Sequence, residues 1–194
     1  MGRDTLKVMG ASNHCDEERA KNDYYGTNPE STRALLKVES FQKTIWEPAA
    51  GHHLIADVLK AAGYDVMTTD LVDYGFGDQQ LNFLDVENKY ELPLDIVTNP
   101  PYGLATEFAL KALELVADGQ KVAMFLRTLF LEGTKRYEKL FSQHPPKTVY
   151  VFTNRQVSDK NDDFNKGSAV SYSWFVWVKG YKGPTEIKWI NSKE

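Results

Sequence analysis

The chain has a single cysteine, Cys15, and it lies in a polar stretch near the N-terminus. A disulfide framework and a cysteine-rich zinc site are thereby excluded, and a thiolate nucleophile is disfavoured. The same scarcity points to a cytosolic setting. Positive charge is not in excess: 23 Lys and Arg stand against 27 Asp and Glu, for a formal net charge of −4. A strongly basic chain would point to nucleic acid unaided. Here any such contact has to come from a local patch, with Arg127, Lys135, Arg136, Lys139, Lys147, Arg155, Lys160 and Lys166 as candidates. No run approaches the roughly 18 apolar residues that a membrane span needs. Residues 1–22 lack the apolar stretch of a secretory signal and read as a flexible arm. Internal repeats and low-complexity tracts are absent. The length, 194 residues, predicts one domain over 23–194 behind that arm.

What the chain does have is one stretch around which the rest can be ordered, Asp95-Ile96-Val97-Thr98-Asn99-Pro100-Pro101-Tyr102. Ile96 and Val97 suit a buried strand. The two prolines lack N–H donors, so a ladder cannot continue past Asn99. From Gly103 to Ala117 the apolar residues return at helical spacing. The unit is strand, stiff polar-aromatic turn, helix. In an open α/β sheet such a turn lies at the carboxyl ends of the strands, where ligands bind.

Flanking segments repeat the pattern. Thr44 to Glu47 reads as a strand, followed by the small-residue turn Pro48-Ala49-Ala50-Gly51 and a helix over His53 to Ala62. Small residues let backbone approach a ligand, and a helix start offers free N–H groups. His52 and His53 read as a solvent-facing pair rather than a metal site, because adjacent helical residues do not share a face. A second strand ends at Asp70, where an acid accepts hydrogen bonds from ribose hydroxyls in dinucleotide folds. Thr27 or Ser31 is expected to cap a helix carrying Ala34, Leu35, Leu36 and Val38. Lys121 to Leu126 reads as a strand covered on both faces. A helix over 132–141, a strand over 147–152 and a polar loop over 153–166 follow. Residues 171–178 and 186–190 then read as two strands around a turn at 180–184, forming a C-terminal antiparallel hairpin.

Asn99-Pro100-Pro101-Tyr102 resembles the catalytic motif of S-adenosylmethionine-dependent amino-methyltransferases, above all the small phage-type DNA N6-adenine methyltransferases. The resemblance covers most of residues 24–190. It implies an α/β fold, the Rossmann-like class I methyltransferase fold, with a mostly parallel sheet. The cofactor it implies is S-adenosyl-L-methionine, with no metal. Tyr25, Thr27 and Pro29 loosely match a segment that closes over the cofactor's methionine end. Glu47, Pro48, Ala49 and Gly51 match the cofactor loop. His53 stands where that loop has its second glycine and is expected to crowd the cofactor. Asp70 would hold the ribose. Phe83-Leu84-Asp85 would hold the adenine, with Asp85 on its amine. Asn99 would contact the cofactor and, with Pro100, accept hydrogen bonds from the target amine. Pro101 stiffens the turn, and Tyr102 would stack on the target base. Phe152 or Phe164 would offer a second stacking face.

The implied reaction is methyl transfer to the N6 amine of adenine in DNA. The lone cysteine argues against C5-cytosine methylation, which needs a thiolate. RNA adenine and protein glutamine remain alternative acceptors, and a non-catalytic subunit of the same fold is the alternative to an enzyme. No separate target-recognition domain is expected, which leaves recognition to the loop 153–170, to a partner protein or to a homodimer. The setting would be the cytoplasm of a bacterial or phage-infected cell.

Overall fold

The computed structural model describes residues 24–76, 79–87, 89, 91–165 and 168–193. The expected arm 1–22 and Lys166 of the candidate basic patch lie outside the described residues. In chain order the elements are β1 (Gly26–Thr27), α1 (Pro29–Leu36), β2 (Thr44–Glu47), α2 (Leu54–Ala61), β3 (Asp65–Asp70), β4 (Gln79–Gln80) and β5 (Asp95–Thr98). Then come α3 (Ala105–Leu115), β6 (Lys121–Arg127), α4 (Thr134–Arg136, continuing as a π-helical turn over Tyr137–Phe141), β7 (Thr148–Phe152), β8 (Ser158–Asp159), β9 (Tyr172–Val178) and β10 (Glu186–Ile190). Eight strands form one sheet in the order β10-β7-β9-β6-β5-β2-β3-β4. All neighbours are parallel except β9, which runs antiparallel between β6 and β7.

The inner strands β5, β6 and β9 are almost wholly buried because both sheet faces are covered there. Side chains alternate between two cores. Ile96, Val122, Met124, Leu126, Phe175 and Trp177 join one core, with α3 and Leu140. Val97, Ala123, Phe125, Trp174 and Val176 join the other, with α1 and α2. Each buried indole finds an acceptor, as burial of an N–H requires: Trp46 Nε1 donates to Thr69 Oγ1 at 3.0 Å and Trp174 Nε1 to the Ser31 carbonyl at 2.9 Å. Below the sheet, the Asp95 carboxylate accepts from the backbone N–H of Gln42 and of Lys121, both at 2.6 Å. It thus ties the segment entering β2 and the start of β6 to the start of β5.

The structure differs from the sequence reading in three places. The C-terminal antiparallel strand is present, but it does not pair with the last one. β9 inserts between β6 and β7, and β10 lies parallel to β7 at the sheet edge. The cap of α1 is Asn28, whose side chain accepts from Glu30 N at 3.0 Å with Pro29 in the first turn; it is neither Thr27 nor Ser31. The loop after β7 also holds β8, which pairs antiparallel with β1 through Gly26↔Asp159 and Thr27↔Ser158. This two-stranded clip lies apart from the main sheet.

Candidate functional site

Chain order reverses between β2 and β5: β3 and β4 extend the sheet one way, β5 and β6 the other. At such a switch point the loops after neighbouring strands diverge and leave a crevice. A cavity of about 670 Å³ lies there, within the size range of small-molecule sites. Its walls come from the strap 24–27, the turn after β2, the end of β3, residues 81–83, the turn after β5, and Arg127 at the end of β6.

Of the residues singled out in the sequence, Tyr25, Thr27, Glu47, Pro48, Ala49, Asp70, Phe83, Asn99, Pro100, Pro101 and Tyr102 line this one cavity. Gly51 does not line it but shapes it. Its φ is +50°, and a Cβ there would come within 2.2 Å of the Tyr24 ring. Gly51 N–H donates to Asp70 Oδ2 at 2.9 Å, and Val72 N–H to Asp70 Oδ1 at 2.9 Å. A carboxylate has about four lone-pair sites, so Asp70 keeps acceptor capacity for a ligand after holding both loops. Leu84 packs against the α3 core instead of the cavity. Asp85 is exposed and accepts from Asn82 Nδ2 at 2.7 Å, while Asn82 itself reaches the cavity wall. Phe152 packs edge-on against Phe125 in the α1–α2 core at 6.2 Å, and neither Phe152 nor Phe164 reaches the cavity.

His53 is buried, so the histidines are not a solvent-facing pair. It takes the left-handed conformation, φ 61° and ψ 16°, at the start of α2. Histidine is among the side chains that enter that region most readily. The backbone therefore keeps the bend a glycine would supply. The ring packs on Phe76 at 4.9 Å and is not among the cavity walls.

Asn99 sits where β5 stops. Its Nδ2 donates to the Tyr25 carbonyl at 2.7 Å. A carbonyl only accepts, so the amide orientation is fixed by chemistry. Oδ1 is left as a buried acceptor with no hydrogen-bond partner among the described residues, and the Thr27 Oγ1 hydroxyl is likewise buried and unpartnered. Buried polar atoms are satisfied as a rule, and both residues line the cavity. Tyr102 follows in the same turn. Its ring stacks on Tyr25 at 5.7 Å, and its hydroxyl contacts Ser158 Oγ of β8 at 3.0 Å. Burial, reinforced by Tyr172, pushes the Tyr102 phenol well above its ordinary value, so it stays protonated.

Several site features escaped the sequence reading. The Asp162 carboxylate binds Tyr24 OH at 2.8 Å through Oδ1 and His52 Nδ1 at 2.7 Å through Oδ2. Tyr24 and Tyr74 flank the His52 ring at 4.3 and 5.2 Å. This clasp fastens the loop after β7 to the strap and to the glycine turn. Arg127 stood in the sequence only among the candidates for a basic patch; it lines the cavity and lies 5.0 Å from the centre of the Tyr102 ring. Its place at the carboxyl end of a buried parallel strand was the available signal.

No protein-family model matches the chain, and no curated protein matches it in sequence. Solved structures do share its fold. A protein from Listeria monocytogenes described as a class I S-adenosylmethionine-dependent methyltransferase aligns over 96% of this chain and 69% of its own, at 14% identity and a TM-score of 0.61. A protein from Agrobacterium tumefaciens described as an O-methyltransferase aligns over 84% of this chain and 85% of its own, at 11% identity and a TM-score of 0.58. The M protein of the type I restriction enzyme EcoKI aligns over 84% of this chain and 45% of its own, at 15% identity and a TM-score of 0.57. The fold is thus the Rossmann-like one that these methyltransferase structures share.

Proposed function

We propose that this chain transfers a methyl group from S-adenosylmethionine to the exocyclic N6 amine of adenine in DNA. The observation that carries the reading is the Asn99 amide. Its nitrogen is held by the Tyr25 carbonyl, and its oxygen is a buried acceptor without a partner, in a rigid turn beside an aromatic ring. An aromatic amine is a poor nucleophile because its lone pair is delocalised into the ring. Asn99 Oδ1 and the Pro100 carbonyl would accept its two N–H groups, which draws the nitrogen towards tetrahedral geometry and frees the lone pair. The Tyr102 ring would hold the base by stacking. Amide carbonyls are too weakly basic to keep the proton that leaves nitrogen, so it passes to water. Positioning then supplies most of the rate.

The cavity fits the cofactor. Asp70 retains acceptor capacity for a ribose, Thr27 Oγ1 is a buried hydroxyl with no partner among the described residues, and the Gly51 turn permits close backbone approach. When bound, S-adenosylmethionine supplies an electrophilic methyl group on a sulfonium. Glu47 and Phe83 would complete the walls.

The test is transfer of labelled methyl from the cofactor to adenine-bearing DNA, with RNA and a glutamine peptide alongside. Asn99→Ala removes one preorganised polar group, a change worth about a hundredfold or more in turnover where such groups stabilise a transition state. Cofactor binding should be retained in the variant. Transfer by the variant within tenfold of wild type refutes the mechanism. Transfer to RNA or glutamine alone keeps the mechanism and changes the polymer.

A further inference from the structure

A second cavity of about 360 Å³ adjoins the first and shares Tyr102 and Arg127 with it. It lies between α3 and the segment leading into α4, with Leu129, Phe130 and Arg136 on its walls. The two arginines set its character. Arg127 is half-buried, with no hydrogen bond and no ion pair among the described residues; its recorded contact is with the Tyr102 ring, and its Nε is buried and unsatisfied. Arg136 spends Nη1 on the Phe130 and Glu132 carbonyls, its guanidinium lies over the Phe130 ring, and its Nε is also buried without a partner. Glu132, the acidic side chain on this wall among the described residues, is exposed at the rim. Two guanidinium side chains thus line one cavity, and their planar forks match phosphate oxygens.

The position narrows the anion. Tyr102 is covered by Tyr25 and by Arg127. A base stacking on Tyr102 has to displace one of them. Tyr25 is held through its carbonyl by Asn99 and lies under the Lys160 ammonium at 5.2 Å. Arg127 is held by the ring alone. We infer that the second cavity is a phosphate subsite for nucleic acid: Arg127 leaves the Tyr102 ring as the target base arrives and binds the backbone phosphate beside it, with Arg136 as the second ligand. This rests on the reading of the chain as a nucleic-acid methylase and adds the group that recognises the strand. It also answers how a chain with a net charge of −4 takes a polyanion, through a pair of arginines at the cavity mouth instead of a basic face.

The experiment follows fluorescence anisotropy of a labelled single-stranded oligodeoxynucleotide with one adenine, on the full chain, between 50 and 200 mM salt. Each phosphate contact contributes about 0.7 to the slope of log affinity against log salt for single strands. Arg127→Gln should flatten the wild-type slope by about that amount and weaken binding at low salt roughly tenfold, on the scale of one lost charged contact. Arg127→Lys should keep the slope and regain part of the affinity. A neutral methylphosphonate beside the adenine should weaken the wild type more than it weakens Arg127→Gln, in which only Arg136 still meets that phosphate. An unchanged thermal shift with S-adenosylmethionine shows that the variant is folded. If adenine transfer proceeds while Arg127→Gln and Arg136→Gln keep the wild-type slope, the phosphate subsite is wrong and the methylase reading stands. If cofactor-loaded wild type binds no oligonucleotide at any salt, the nucleic-acid substrate falls and the subsite with it.

Discussion

Replacing Gly51 by alanine tests whether the strap, the glycine turn and the loop after β7 form one unit. Gly51 has φ +50°, and its missing Cβ would lie 2.2 Å from Tyr24 Cε2 and 2.7 Å from Cδ2. Two separate penalties follow. Left-handed backbone at alanine costs about 1 kcal/mol relative to glycine. The clash then forces the Tyr24 ring aside. That breaks the 2.8 Å bond to Asp162 and opens the ring contact with His52 at 4.3 Å. A net hydrogen bond is worth about 1 kcal/mol and an aromatic pair about another. The sum is about 3 kcal/mol, or a fall in melting temperature of roughly 6–12 °C for a chain of this size. The decisive assay is a double-mutant cycle by urea denaturation. In a Tyr24→Ala background the obstructing ring is gone, so Gly51→Ala should cost only the backbone term, about 1 kcal/mol. A coupling energy of about 2 kcal/mol is therefore expected. Equal costs in both backgrounds, or a single variant melting within 2 °C or so of wild type, would refute the clasp as the element that holds this turn.

Two further outcomes follow from the same coordinates. Phe83 is 2% exposed and packs between Trp46 at 5.2 Å and Phe108 at 4.9 Å, so Phe83→Ala should lose about 3–5 kcal/mol of stability together with the thermal shift given by S-adenosylmethionine; a variant that keeps both would show that Phe83 does not build the cavity wall. Burial, then the Lys182 and Lys179 ammonium groups, hold the His144 imidazole below its ordinary value of 6.5. The unfolded chain therefore binds that proton more tightly, and native stability falls as pH drops through about 6.5 and levels off below the depressed native value. His144→Gln should show a flatter urea midpoint between pH 7 and 5 than wild type, and parallel profiles would remove His144 from the account.

How much of this was legible depended on whether a feature is written in neighbouring residues. β5 and its turn were legible because apolar β-branched residues followed by two prolines leave few backbone options. The helices α2 and α3 were legible from their apolar spacing. The clasp was not, because Asp162 and His52 are 110 positions apart and meet only through the β1–β8 clip. Nor was the pairing of β10. A turn at 180–184 between two strands suggests a hairpin, and alternation reveals which face a residue takes but not which strand lies beside it. β10 shows four exposed residues and one buried, the pattern of an edge, and its neighbour is β7. His53 marks a different limit. Identity departs from glycine while the dihedral angles do not, and only coordinates separate the two.

Arg127 was legible in principle, and the reason bears on how such sheets are read. The parallel strands β2, β3, β5 and β6 each end in, or are followed at once by, a charged or amide residue: Glu47 closing β2, Asp70 closing β3, Asn99 just past β5 and Arg127 closing β6. All four line the same cavity. A strand covered on both faces has no reason to place a charge or amide at its carboxyl end unless that end faces a ligand or solvent. Glu47, Asp70 and Asn99 attracted attention through a resemblance to known motifs. The physical rule singles out Arg127 on equal terms, without any motif. Under the proposed function, Glu47, Asp70 and Asn99 would line the part of the cavity that takes the cofactor, and Arg127 the part that the nucleic acid enters. Reversing the charge of that arginine, as in Arg127→Glu, should abolish oligonucleotide binding while leaving S-adenosylmethionine binding in place, a separation that one shared, unpolarised pocket would not produce.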